Sequence, residues 1–269
     1  MKRIAIFCVN YNSYDELDNY IASLDEAAAL CSEVSTDVFV VDNTDKNFKD
    51  VKFNVANIRV KVFEIHKNMG YFGGIRQGMD RVDMSAYDFH VISNVDVLVE
   101  KDFFTSFAKA EYDENVGIVA PQIYSKKENK HRNPGRMERY SRRSIKIMQF
   151  LYSHPMLYAF YYNYVYRFRK PSKQQLVPRR EIYLAHGSFI ILTKSFYNRC
   201  GIIDYPVFLY GEEIYLAELS RNNGLKTIYD PSLKVIDIDH VSTGKIKYKR
   251  WCKFNHDALT YILDNVLKD

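Results

Sequence analysis

Ile92-Ser93-Asn94-Val95-Asp96-Val97-Leu98-Val99 is the stretch on which the reading of this 269-residue chain turns. Its apolar flanks, with Phe89 and Val91 just before, are short and β-branched, as in a strand covered on both faces of a sheet. The polar Asn-Val-Asp break sets an amide and a carboxylate side by side on one face. A buried carboxylate needs a hydrogen-bond donor, a basic side chain or a metal. Oxygen ligands on a short acidic turn suit a hard divalent ion, magnesium or manganese, which also takes oxygens from phosphates. A solvated turn at a strand end is the alternative, and the triplet alone leaves both open.

Outward from this stretch, other apolar runs also end in polar residues. Residues 4–9 read as a first strand closing on Asn10-Tyr11-Asn12-Ser13, with Ser13 placed to cap a helix spaced by Leu17, Tyr20, Ile21 and Leu24. Residues 38–41 form a second strand, closing on Asp42-Asn43, and residues 60–65 a third. Strands alternating with helices describe an α/β sheet that binds ligand at its carboxyl edge. Asp42-Asn43 is either a plain turn or a reader of base or ribose. The following Asn68-Met69-Gly70-Tyr71-Phe72-Gly73-Gly74-Ile75-Arg76-Gln77-Gly78 permits close backbone approach and a tight helix entry. It is neither a Rossmann fingerprint nor a P-loop.

Later in the chain, a short helix (residues 103–110) and a strand (116–120) precede a resumption of strand character over 181–192. Phe208-Leu209-Tyr210-Gly211-Glu212-Glu213 then turns an apolar run into two carboxylates opening a helix. The helix dipole alone explains one such carboxylate better than two. A last strand, residues 234–238, ends in Asp239-His240, where a histidine is structural, a metal ligand or a proton carrier.

Composition bounds the rest. At 47% hydrophobic the chain can bury a full core, and it holds no apolar run of transmembrane length. Its four scattered cysteines suggest neither zinc nor a disulfide framework, so a reducing cytoplasm is expected. Residues 126–180 carry 15 basic and 2 acidic residues in a chain of net charge +5, so one basic segment sits in an otherwise acidic protein. Arg139, Arg142, Arg143 and Lys146 read as one helix, and aromatics crowd the next, with Tyr158, Tyr161, Tyr162 and Val165 on a stripe. A membrane interface, a core or oligomer contact, and nucleic acid are the three readings. No recognised motif supports nucleic acid, and it is not an expected partner.

Taken together, the chain resembles the family 2 inverting glycosyltransferases, close to the rhamnosyltransferase-like branch of bacterial polysaccharide biosynthesis. The likeness runs in the family's order. Val9-Asn10-Tyr11-Asn12, Val41-Asp42-Asn43, the loop from Asn68 to Gly78 and Ser93-Asn94-Val95-Asp96-Val97 come first. Asn133-Pro134-Gly135-Arg136, Gly187-Ser188-Phe189, Phe208-Leu209-Tyr210-Gly211-Glu212-Glu213 and His240 follow.

The resemblance implies an α/β GT-A fold, a Rossmann-like, mostly parallel central sheet flanked by helices, with a basic aromatic helical insertion. Within one continuous domain, residues 1–125 would form the nucleotide-sugar donor-binding half. Residues 126–185 would be the basic aromatic segment, and 186–269 the acceptor-binding and catalytic half. Implied donor-binding residues are Asn10, Tyr11, Asn12, Asp42, Asn43, Asn68, Gly70, Gly74, Arg76, Asn94 and Asp96. Asp96 and His240 would hold Mn2+ or Mg2+. Glu213 would be the general base and Glu212 would orient the acceptor, with Gly187, Ser188, Tyr210 and Gly211 binding it.

The implied reaction moves a sugar from a UDP- or dTDP-sugar to a glycan hydroxyl in cell-surface polysaccharide synthesis. The acceptor would be linked to polyprenyl diphosphate and met at the inner face of the cell membrane, which residues 126–180 would contact; a homo-oligomer is a further possibility. Two positions depart from the pattern. Asn94 replaces the first aspartate of the usual metal motif, and Tyr215 stands where many relatives carry an aspartate. A non-catalytic nucleotide-sugar or glycan binder and a sugar nucleotidyltransferase are the alternatives.

Overall fold

Strand β1 (Lys2–Asn10) lies inside the sheet and feeds two cores at once. Strand alternation sends Ile4, Ile6 and Cys8 to one face and Ala5 and Phe7 to the other, all fully buried. The structure, a computed structural model, describes residues 1–166, 177–238 and 246–268.

The other strands are β2 (Val34–Asp42), β3 (Arg59–Glu64), β4 (Phe89–Ser93), β5 (Val97–Val99), β6 (Val116–Ser125), β7 (Lys130–His131), β8 (Arg180–Ile182), β9 (Phe189–Thr193) and β10 (Lys226–Asp237). They form one sheet in the order β3-β2-β1-β4-β9-β6-β10-β5, with β7 beside β6 and β8 beside β10. β1 is parallel to β2 and β4, β2 to β3, and β6 to β10, while β9 runs antiparallel to both β4 and β6. Six strands therefore point one way, and the sheet is mostly parallel, as the alternation of strands and helices implies.

Helices cover both faces. α1 (Tyr14–Ala28) lays Leu17, Tyr20, Ile21 and Leu24 on the Ile4 face, joined by the phenylalanines of α3 (Phe103–Lys109). Each buried leucine or isoleucine there contributes about 1.5–3 kcal/mol. Ser13 occupies the N-cap position, yet its side chain makes no capping bond. On the Phe7 face lie Phe72, Ile75 and Met79 of α2 (Tyr71–Met79), Phe196 of α6 (Lys194–Cys200) and Leu216 of α7 (Glu212–Asn222).

Within the basic aromatic segment, residues 142–166 are helical: α4 (Arg142–Ser153), α5 (Pro155–Tyr161) and a π-helical turn, Tyr162–Tyr166. The short strands β7 and β8 fall near its two ends, and residues 167–176 lie outside the described residues. The helices α4 and α5 pack on α8 (Tyr248–Tyr261), and Ile145 meets Ile262, Leu263 and Leu267 just beyond that helix. Part of the aromatic stripe is spent on this packing: Tyr158 lies 4.7 Å from Tyr152 and 5.4 Å from Trp251 between ring centroids.

Two expectations change. Arg139 precedes α4 instead of lying on it, because its guanidinium is committed elsewhere. Its Nε and Nη2 donate to the two oxygens of fully buried Glu218 at 2.8 and 2.7 Å. Arg142 donates to the Leu267 carbonyl at 2.9 Å. The strand character over 181–192 is also broken, since β8 ends at Ile182 and β9 begins at Phe189. Asn133 draws the intervening loop off the sheet by accepting the His186 N–H at 2.9 Å. No helix among the described residues is long and apolar enough to cross a membrane.

Candidate active site

Parallel strands bring their carboxyl ends to one edge, and the register fixes which residues share it. Asn10 pairs with Asp42, Cys8 with Ser93, and Ser93 with Phe189. The Asn94 N–H donates to the Ser188 carbonyl at 2.9 Å, which closes β4 against the start of β9. A cavity of about 980 Å³ opens at this edge. Tyr11, Asn12, Asn43, Asn68, Gly70, Asn94 and Asp96 line one side, and Gly187, Ser188, Tyr210, Gly211, Glu212 and Glu213 also line it.

Four residues read as donor-binding, Asn10, Asp42, Gly74 and Arg76, do not line the cavity. Asp42 is buried and accepts bonds from Asn10 Nδ2 (3.0 Å), the Thr44 N–H (3.0 Å) and the Tyr14 hydroxyl (2.8 Å), so it and Asn10 lock the strand ends. Gly74 lets α2 approach closely, as a Cβ there would fall 2.8 Å from Asn43 Nδ2. Arg76 is turned to Asp80 (2.7 Å) and the Ile203 carbonyl (3.2 Å). His240 lies outside the described residues.

Asn43 is the wall residue with unspent capacity. Its Nδ2 donates to the Gly70 carbonyl at 2.9 Å, while its buried Oδ1 has no hydrogen-bond partner among the described residues. A buried acceptor left unpaired is costly, which suits a site completed by a ligand donor.

The glycine-rich loop is fastened to the segment that carries the carboxylates. Gly70 has φ +76°, and a Cβ on it would sit 2.1 Å from the Phe208 carbonyl oxygen. The Tyr71 N–H donates to that same carbonyl at 3.2 Å. The run before Gly211 is therefore a cavity-lining loop. Tyr210 takes φ 71°, a strained conformation for a bulky residue, and its carbonyl accepts the Tyr205 hydroxyl at 2.7 Å.

Glu212 and Glu213 open α7, where the helix dipole favours the ionised form. Burial outweighs it. Both keep some surface open to the cavity, yet they lie deep enough that burial pushes each up to about 7. For Glu213 the neighbouring Glu212 charge adds to the rise, and the Gly187 N–H and Arg132 oppose it. Each is thus poised near neutrality, as a general acid–base group must be. Gly187 leaves no slack: a Cβ there would lie 3.1 Å from Glu213 Oε1.

Asp96 is 7% exposed, lines the cavity, and forms no side-chain hydrogen bond or ion pair among the described residues. A buried, unpaired carboxylate fits a hard divalent cation as one oxygen ligand. No cluster of three potential ligands occurs among the described residues, so such an ion would draw its remaining ligands from phosphate, water or residues beyond them.

Several lining residues escaped the sequence reading. The Tyr71 hydroxyl donates to the Gly187 carbonyl at 3.4 Å, and burial with the nearby Glu212 charge holds its phenol well above the usual range. His186 Nδ1 lies 3.0 Å from Ser188 Oγ. Ser144, Met148 and Tyr152 of α4 and Lys247 and Arg250 around α8 also reach the cavity. Tyr71 and His186 sit inside stretches already singled out; the residues of α4 and around α8 meet only through the packing of those helices. Tyr215, the departure noted after the acidic pair, lies on the buried face of α7, its hydroxyl accepting the Asp204 N–H at 3.2 Å.

A cavity at the carboxyl edge of a mostly parallel sheet, walled by amides and one free carboxylate and faced by a paired acidic helix start, defines a ligand-binding α/β protein with acid–base capacity. The chain belongs to glycosyl transferase family 2, whose model matches residues 5–192. No curated protein matches the chain in sequence.

Among solved structures it is similar to GalNAc-T7 with UDP, GalNAc and Mn2+ (12% identity, TM-score 0.55, 91% of this chain and 45% of that one). It is similar to S. aureus TarS 1-349 in complex with UDP-GlcNAc (12%, 0.54, 92% and 62%). The mannosyltransferase PcManGT from Pyrobaculum calidifontis, in complex with GDP-Man and Mn2+, is a third (12%, 0.51, 90% and 58%). The chain spans less than two thirds of each of these proteins, and the likeness is one of fold: the GT-A glycosyltransferase fold.

Proposed function

We propose that the protein transfers a sugar from a nucleoside-diphosphate donor to a hydroxyl of a glycan acceptor, in one displacement that inverts the anomeric carbon. The observation that carries this reading is Glu213, a carboxyl pushed up to about 7 in the same cavity as Asn43 and Asp96. An acceptor hydroxyl must lose its proton as it attacks, and a carboxylate ionising near neutrality accepts it. The proton moves from the acceptor oxygen to a Glu213 carboxylate oxygen while the donor's diphosphate departs from the opposite face of the sugar.

Glu212 beside it orients the acceptor and keeps the pair from ionising early. The unpaired Asn43 oxygen is suited to an N–H or O–H of a base or ribose, and the donor proposed on the family resemblance is a UDP- or dTDP-sugar. Asp96, with Asn94 beside it, would hold Mn2+ or Mg2+; such an ion supplies charge stabilisation to the departing diphosphate. The structures of GalNAc-T7 and PcManGT hold Mn2+, which supports a divalent ion here.

The fuller form of the reading is a rhamnosyltransferase-like enzyme of cell-surface polysaccharide synthesis. It works at the inner face of the membrane on a glycan linked to polyprenyl diphosphate. Its support is the basic aromatic segment, whose helix α4 lines the cavity.

Calorimetric titration with UDP, dTDP and GDP, each with and without Mn2+, tests the donor side. Manganese-dependent binding of UDP or dTDP is expected, and the anomeric configuration of the product made from the matching sugar should be inverted. Retention of configuration, or failure of all three nucleotides to bind, would contradict the reading.

A further inference from the structure

We propose that the outer face of α4 and α5 is a docking surface for an anionic lipid bilayer. α4 has two faces. Ser144, Ile145, Met148 and Tyr152 line the cavity, whereas Arg143, Lys146, Ile147 and Phe150, three and four residues apart, point outward and are exposed. α5 and its following turn continue the pattern with Met156 (88% exposed), Phe160 (61%) and Tyr164 (66%). The Phe160 and Tyr164 rings lie 4.8 Å apart, so they form one apolar ridge.

Such crowding is not ordinary surface. Eight of the fifteen exposed large hydrophobic side chains of the described residues fall within residues 147–165. A patch of this kind marks an interaction site.

Charge selects the occupant. In sequence, residues 126–180 carry 15 basic and 2 acidic residues, and the exposed cations on this face of α4 are Arg143 and Lys146. Arg143 and Lys146 have no acidic partner among the described residues, in contrast to Arg139, which Glu218 holds. A second copy meeting this face about a two-fold axis would set the same cations against each other. An anionic bilayer satisfies both halves of the pattern. The boundary of its acyl region takes Phe150, Met156 and Phe160, its headgroup phosphates take Arg143 and Lys146, and Tyr164 sits between.

Docking has a consequence that rests on the transfer reading: α4 would separate the bilayer from Glu213 by one helix, so a lipid-carried acceptor would enter beside it. The docking itself does not depend on that reading.

Flotation of the full chain with vesicles tests it in the absence of any substrate, so its failure is separable from failure of sugar transfer. The chain should float with equimolar phosphatidylcholine and phosphatidylglycerol and stay behind with phosphatidylcholine alone. Arg143→Gln with Lys146→Gln should weaken vesicle binding about thirtyfold, the loss of two charges at an anionic surface. Met156→Ser with Phe160→Ser should weaken it as well, while circular dichroism and thermal melting report that each variant remains folded.

No flotation with anionic vesicles, equal flotation with neutral ones, or variants that bind like the parent would overturn the proposal. So would a lipid-free dimer in light scattering that the Met156→Ser, Phe160→Ser variant dissociates.

Discussion

The backbone N–H of Gly187 donates to Oε1 of Glu213, so the loop entering β9 holds the carboxylate that opens α7. The same residue's carbonyl accepts the Tyr71 hydroxyl at 3.4 Å. One residue thereby ties the glycine-rich loop, the sheet edge and the proposed base together. The bond also favours the ionised form, opposing the burial that pushes Glu213 up.

Gly187→Ala tests how tightly this arrangement is set. The new Cβ would stand 3.1 Å from Oε1 and 3.2 Å from Cγ of Glu213, so the side chain must shift. We expect kcat to fall by about ten- to a hundredfold, since small misplacements of a reacting group are expensive. The melting temperature should hardly change, because the displaced atoms belong to a single side chain at an open cavity. An unaltered kcat would show that the contact does not position the base.

The pH dependence of transfer follows from the raised carboxyls. With Glu213 at about 7, kcat/KM should climb as pH rises through that value, in a limb that belongs to the Glu212–Glu213 pair. Glu212→Gln should move the limb to lower pH, because the Glu212 charge is one cause of the rise. A profile already flat down to about pH 5 would remove Glu213 from the role.

Stability should run in the opposite sense. Both carboxyls rise from 4.5 to about 7 on folding, so the native state holds their protons more tightly than the unfolded chain. Their stabilising contribution is complete below pH 4.5 and is lost as pH rises through about 7. Thermal melts across this window should show the decline, and Glu212→Gln with Glu213→Gln should flatten it. A decline of equal size in the double variant would assign it to other groups.

Arg139 and Glu218 make a separate prediction about the fold. Glu218 is fully buried and also receives the Tyr183 hydroxyl at 2.8 Å. Removing the guanidinium with Arg139→Ala strands a buried charge, at a cost of about 3–5 kcal/mol in urea unfolding. A loss below about 1 kcal/mol would mean that solvent compensates, as for a surface pair.

What the sequence revealed and what it hid divide along local and distant causes. β1, β2 and α1 were legible because strand alternation and helical spacing are written in neighbouring residues, and Glu212-Glu213 because a helix start follows a glycine. Which polar residue at a strand end faces ligand was not legible. Asp42 and Asn43 are adjacent, yet Tyr14 and Asn10 claim the first and leave the second's oxygen unpaired. Arg139 looked like one more cation of the basic patch, because its partner Glu218 stands 79 residues away. The participation of α4 in the cavity was equally hidden, being a product of its packing on α8.

The central claim is that Glu213 takes the acceptor's proton, and Glu213→Gln addresses it most directly. Glutamine keeps the size and the ability to accept the Gly187 N–H, and removes only the basic oxygen. Product formation and donor affinity should be measured on the same preparation, with the nucleotide sugar that titration selects. The account predicts transfer reduced by about 10²–10⁴-fold with donor affinity unchanged. Transfer at the parent rate with the donor bound as tightly would contradict it.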